Sequence, residues 1–193
     1  NSILSNIAHS CGSHLEVSNF AREAGLSYPT TNKYLTVLNQ SQLIFKLYGY
    51  QYGPAKKFIK SAKTYFTDTS IITAVNAKIS DGQIIENFVI GELEKRRKLG
   101  LLKTDQLYHY KSSSGSEIDC VFESENFIYL IEIKKTVKPI RKDIRNLINY
   151  LPKKGSNKPL KKLLFYMGTD FYTMDNVDIV PICSLYRAGG IKE

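Results

Sequence analysis

The chain has 193 residues, 42% of them hydrophobic, which is room for a packed core in one large or two small domains and excludes a disordered tail. Lys and Arg number 27 against 18 Asp and Glu, a net charge of +9, so a polyanionic partner, nucleic acid first, is favoured over an acidic one. Three cysteines without a C-x-x-C pair argue against a disulfide framework or structural zinc and fit a reducing cytoplasm, and no apolar run approaches the about 20 residues of a transmembrane segment.

Residues 1–75 are expected to form a winged helix-turn-helix domain. "NSILSNIAHSCG" sets Ile3, Leu4 and Ile7 on one helical face and stops at Gly12. "EVSNFAREAG" repeats the theme and closes at Gly25, a residue suited to the turn after a helix. In "LSYPTTNKYLTVLNQSQ", Ser27 is the N-cap, Pro29 lies in the first turn, and Thr31, Leu35 and Leu38 form the inward stripe. "LIFKLYGYQY" and "AKTYFTD" are then the two strands of a wing with "GPAKKFIKS" at its tip. On this reading Thr30, Asn32 and Lys33 enter a major groove while Lys56, Lys57 and Lys60 hold phosphates. The alternative for the same elements is a surface for protein contacts.

From residue 76 to 193 the pattern is that of an α/β domain. "DGQIIENFVIGELEKRRKL" is an amphipathic helix with a basic end, as the helix dipole prefers. "QLYHYK", "SEIDCVF" and "FIYLIEIKK" follow as strands, "IRKDIRNLINYL" as a helix stopped by Pro152, and "KKLLFYMG" and "VDIVPICSLY" as further strands. This order makes a sheet with a crossover helix.

The stretch "GSEIDCVFESENFIYLIEIKK" carries Asp119, Glu132 and Lys134 where a buried hairpin should be apolar. Strand alternation puts Glu132 and Lys134 on one face, and folding at Ser124–Asn126 brings Asp119 beside them. In the partner strand the same alternation sets Asp119 with Val121, opposite Ile118, Cys120 and Phe122. Converging carboxylates repel unless a cation joins them, and oxygen ligands with water suit Mg²⁺ or Mn²⁺. Lys134 would add a fixed positive charge for a phosphoryl transition state. The competing explanation is a solvated strand face, on which alternating charge is routine. Glu117 is a candidate outer carboxylate, and His109 and Lys111 candidate phosphate contacts.

Asp-x₁₂-Glu-x-Lys after a helix carrying Glu86 resembles the PD-(D/E)XK nuclease superfamily. "KSAKTYFTDTSI", "GQIIENFVIGEL", "YHYKSSSGSEIDCVF" and "YLIEIKK", in this order, are similar to the C-terminal domain of unknown function of prokaryotic AAA-type P-loop ATPases. That resemblance implies a winged helix before a restriction-endonuclease-like mixed sheet. It also implies a catalytic set of Glu86, Asp119, Glu132 and Lys134, with Glu86, Asp119 and Glu132 as metal ligands. Ile118 stands where the motif's name has proline. No G-x-x-x-x-G-K-[ST] occurs, so an ATPase module is expected upstream, in keeping with a chain that begins at Asn1. The functions that follow are a DNA-associated, Mg²⁺-dependent nuclease-like module, or a non-catalytic module docking DNA or a partner protein and serving that ATPase.

Overall fold

The computed structural model describes residues 3–50, 62–152 and 157–186. The described residues form an α/β protein with a mixed set of eight strands and six α-helices. Two compact units divide the chain, one of Asn1–Tyr48 and Phe58–Gly91, the other of Gly49–Lys57 and Glu92–Glu193.

In the first unit α1 (Ile3–His9), α2 (Val17–Ala24) and α3 (Tyr28–Gln40) precede the antiparallel pair β1 (Ile44–Gly49) and β2 (Lys63–Phe66). Gly25 ends α2 in the left-handed region at φ 67°, where only glycine is free of strain. The Ser27 hydroxyl accepts from the Thr30 N–H at 3.3 Å, so the expected N-cap is in place. Thr31 and Leu35 are buried, and Leu38 is half-buried behind them. Phe45 and Tyr65 sit opposite each other across the strands with rings stacked at 5.7 Å. The wing tip expected at residues 53–61, with Lys56, Lys57 and Lys60, lies outside the described residues.

A short helix, α4 (Ser70–Ala74), follows β2 and was not anticipated. The long helix α5 (Asp81–Lys98) then runs across the division between the units at Gly91 and Glu92. The domain boundary expected at 75/76 therefore falls before this helix. Asn87 explains why its first half belongs with the hairpin. Buried to 1% exposure, its side chain accepts from Phe66 N–H at 2.8 Å and donates to Phe66 C=O at 3.1 Å. The amide thus completes β2 as a neighbouring strand would, and Cys11 adds a thiol bond to the same oxygen. Burial, ahead of any charge, pushes the Cys11 thiol up to about 12.

The second unit holds β3 (Tyr108–Lys111), β4 (Glu117–Glu123), β5 (Ile128–Lys134), β6 (Leu160–Tyr166), β7 (Tyr172–Met174) and β8 (Val177–Pro181). Their spatial order is β3-β4-β5-β6-β8-β7. β3, β4 and β5 run antiparallel, β5, β6 and β8 parallel, and β7 closes the edge antiparallel to β8. The parallel step from β5 to β6 requires a crossover. It contains a 3-10 turn (Arg141–Ile144) and α6 (Arg145–Asn149), so the start of the expected helix winds more tightly, and at the other end Leu151, before Pro152, is disfavoured in the α region. Ile144, Leu147 and Tyr150 from this crossover pack with Ile118, Val121, Leu130 and Leu164 of the sheet.

The segment expected as one last strand splits at Pro181, which has no N–H to continue a ladder, and ends as a 3-10 turn (Ile182–Tyr186). Before it, Asp175 and Asn176 at φ 49° and 61° make a two-residue hairpin turn between Met174 and Val177. No helix among the described residues is long and apolar enough to cross a membrane.

Candidate functional site

The strand β4 is not regular where Asp119 lies. Tyr108 pairs with Val121 and Tyr110 with Ile118, so the single residue His109 faces two, Asp119 and Cys120. One extra residue in a strand is a β-bulge, a device that re-aims side chains. Strict alternation would set Ile118 and Val121 on opposite faces. The bulge corrects that expectation: both join the same apolar core.

On the other side of β4 the register with β5 is regular as far as Cys120 and Ile131. One step further the count sets Asp119 against Glu132. There the Asp119 carboxylate accepts from the Ile133 backbone N–H at 2.9 Å, which holds the side chain at the strand boundary.

Glu132 is 1% exposed, an unusual place for an acid. Lys134 Nζ reaches one carboxylate oxygen at 2.9 Å, and Asn146 Nδ2, from α6, approaches the other at 3.4 Å. Asn146 is itself fixed by donating to the Glu117 carbonyl at 2.9 Å and accepting from the Ser116 hydroxyl at 3.2 Å. Burial, then the nearby Asp119 charge, pushes the Glu132 carboxyl up to about 8, although Lys134 and Asn146 pull the other way. The neighbouring Cys120 thiol is raised as well, by complete burial first and then by Asp119 and Glu94.

The structure thus brings Asp119, Glu132 and Lys134 together. The pair has the chemistry of a hard-cation site: two oxygen donors, one of them deprived of water and destabilised by its neighbour. At neutral pH a proton serves in place of a cation. Among the described residues no group of three or more His, Cys, Asp and Glu side chains is placed to hold a metal ion.

Glu86 belongs to the first unit, and its surroundings there are specific. Its Oε1 accepts from the Tyr65 hydroxyl at 2.7 Å and lies 3.6 Å from the nearly buried Lys63 ammonium. Gly12, at φ 73°, passes so close that a Cβ there would sit 3.1 Å from the same oxygen. Glu86 is therefore held on Oε1 by a tyrosine and a lysine that sequence reading did not connect to it.

The expected groove-reading residues are on α3. Thr30 is half-buried with its hydroxyl 2.8 Å from that of Ser27, so it serves the helix cap, while Asn32 is half-buried and Lys33 exposed. Lys111 pairs with Glu117, and His109 is buried at the bulge. Asn146 was missed: it is a polar residue on a crossover helix beside buried Leu147, and that position was the available signal.

A polar cleft of about 490 Å³ opens at the other end of β4, lined among others by Arg97, Lys103, Asp105, Glu123 and Lys158. Two of its cations are already committed, Arg97 to Glu94 at 2.7 Å and Lys158 to Glu123 at 3.7 Å. It lacks a buried, strongly perturbed acid of the kind found at Glu132.

Two family models match the chain, a domain of unknown function (DUF8612) over residues 1–82 and a domain of unknown function (DUF4143) over residues 81–185. Among curated proteins, the chain is similar to Uncharacterized protein Mb2031c of Mycobacterium bovis and Uncharacterized protein Rv2008c of Mycobacterium tuberculosis, at 23% identity over 97% of this chain. The chain spans about two fifths of the length of these relatives, 42% in each case. The DUF4143 match takes in the bulged β4, the Glu132 strand and the crossover, more than half of the chain, and on that match the chain belongs to the DUF4143 family.

Proposed function

We propose that the second unit is a PD-(D/E)XK nuclease-like domain that acts on DNA phosphodiesters with Mg²⁺ or Mn²⁺, and that the first unit is a winged helix presenting it to DNA. The observation that carries this reading is the buried Glu132 carboxylate, set against Asp119 and touched by Lys134 at 2.9 Å. Perturbed acids of this kind concentrate at functional sites. The mixed sheet, with an antiparallel hairpin feeding a parallel crossover, supports the fold assignment.

Asp119 and Glu132 would hold the ion. When bound, the ion polarises the scissile phosphate and lowers the pKa of a water nucleophile. The chain's own residues do the rest. The Ile133 N–H orients the Asp119 carboxylate. Asn146 fixes the rotamer of Glu132 from the helix side. Lys134, half in water at 38% side-chain exposure, is placed to meet the negative charge that grows on a phosphate oxygen.

The test is cleavage of single- and double-stranded DNA with Mg²⁺ or Mn²⁺, alongside calorimetric titration of Mn²⁺. Asp119→Ala is expected to abolish both ion binding and cleavage. An ion that binds wild type and Asp119→Ala equally would overturn the assignment.

A second reading has its own support: among the described residues no group of three or more His, Cys, Asp and Glu side chains is placed to hold a metal ion, and the chain covers 42% of its curated relatives. On this reading the fold is a non-catalytic platform that docks DNA or protein for an ATPase module elsewhere in the full-length protein. Metal binding without cleavage of any substrate by the full-length protein selects it.

A further inference from the structure

The connection from β5 to α6 begins and ends at Glu132. Lys134 touches one of its carboxylate oxygens at 2.9 Å, and Asn146 approaches the other at 3.4 Å. Between those two contacts the chain is strongly cationic. Residues 134–145, "KKTVKPIRKDIR", carry Lys134, Lys135, Lys138, Arg141, Lys142 and Arg145 against one acid, Asp143. Six cations and one acid amount to more than half of the chain's net charge of +9.

Asp143 forms no ion pair with them among the described residues. Its carboxylate accepts from the Ile140 N–H at 2.9 Å and caps the 3-10 turn. Lys135, Lys138, Arg141, Lys142 and Arg145 are all exposed. Arg141 meets Asp175 at 3.0 Å, whereas Lys138, Lys142 and Arg145 have no ion-pair partner among the described residues. The apolar side of the same segment is anchored by Ile144 and Leu147 in the core, so the charges stand on a fixed support.

We infer that residues 134–145 form a phosphate-binding track for the backbone of duplex DNA, leading to Glu132 and Lys134. Like charges this close repel one another and are stabilised by an extended polyanion, whose condensed counterions they release. This track is distinct in sequence from Lys56, Lys57 and Lys60 and places a nucleic-acid contact between β5 and α6. It rests on the phosphodiester reading only for what lies at its end; binding along it needs no turnover.

The experiment uses the 193-residue chain in EDTA, where metal-dependent cleavage cannot interfere, and a short fluorescein-labelled duplex followed by anisotropy over a salt series. In Lys138→Gln/Lys142→Gln/Arg145→Gln, affinity is expected to drop at least tenfold. The log–log salt slope should shrink by about 3, near 0.9 per phosphate contact. The charge-preserving variant Lys138→Arg/Lys142→Arg/Arg145→Lys should retain both. Unchanged slope in the glutamine variant, or full loss of slope on changing Lys56, Lys57 and Lys60 instead, would overturn the track. Phosphatidylserine–phosphatidylcholine vesicles supply a further arm, because vesicle binding lost in the glutamine variant without any duplex binding identifies an anionic membrane surface and also overturns it. Cleavage in Mg²⁺ is read separately: a wild-type chain that binds through the track and cuts nothing refutes the nuclease reading and leaves the track standing.

Discussion

Replacing Glu132 by Gln tests the physical heart of the site without relying on any substrate. The substitution keeps shape and the Asn146 contact but removes a buried titrating group. In the folded chain Glu132 keeps its proton until about pH 8, whereas its ordinary value is 4.5. Between those values the folded state binds more protons than the unfolded one. Stability from this group is therefore complete below about pH 4.5, falls as pH rises, and levels off above about 8.

Each unit of displacement is about 1.4 kcal/mol, so the loss across the window is on the order of 3–5 kcal/mol. At 1% exposure there is little solvent to screen it. Urea unfolding at constant ionic strength reads the effect. Wild type should lose stability from pH 5 to pH 8 relative to Glu132→Gln by about 3 kcal/mol or more. Millimolar Mg²⁺ at pH 8 should restore much of the wild-type loss and leave the variant unmoved, because a cation then replaces the proton. Parallel pH profiles for the two proteins would refute the reasoning.

Asn87→Ala should destabilise the first unit by about 2–4 kcal/mol in chemical denaturation, since it strands the buried Phe66 N–H and C=O, and a shift under about 0.5 kcal/mol would contradict the strand-mimic role. Gly12→Ala should cost about 1–3 kcal/mol through its φ of 73° and the approach of Glu86, and pairing it with Glu86→Gln should not remove the backbone share of that loss. Lys134→Ala should slow cleavage about 100-fold or more while Mn²⁺ affinity measured by calorimetry changes little, and an equal loss in both would make Lys134 a support for the metal site only.

Much of the fold was legible because apolar spacing dictates it. The α3 stripe of Thr31 and Leu35, the Ser27 cap and the β4–β5 hairpin all follow from local rules. The E-x-K strand was equally plain, since charges at Glu132 and Lys134 interrupt an otherwise apolar run. What failed to show were features that depend on a partner strand. The bulge at Asp119–Cys120 is defined by His109 across the ladder, and nothing within "SEIDCVF" marks it. Asn146 and Asn87 look like ordinary polar residues in helical stretches until tertiary packing gives each a buried partner. The turn at Asp175–Asn176, by contrast, had a local signal: a pair of residues tolerant of positive φ between apolar neighbours.

The location of the acidic pair follows from the way the sheet changes direction. β5 has an antiparallel neighbour, β4, on one side and a parallel neighbour, β6, on the other, whereas β8, the other strand so placed, lies next to the edge. The carboxyl end of β5 must therefore release the chain into a crossover, while the amino end of β4 lies alongside. In open sheets ligands gather at the carboxyl ends of parallel strands. The crossover returns over the same end, because Ile144 and Leu147 must reach the core, and it brings Asn146 onto Glu132. Burial of the acid, its raised pKa and the surrounding cations are thus consequences of one topological fact. Moving the carboxylate two residues back along β5, to Leu130 in the dry core, would keep the burial and lose both Lys134 and Asn146. An acid there would hold its proton with neither a lysine nor an amide against it, so the proposed cation site requires the carboxylate at Glu132.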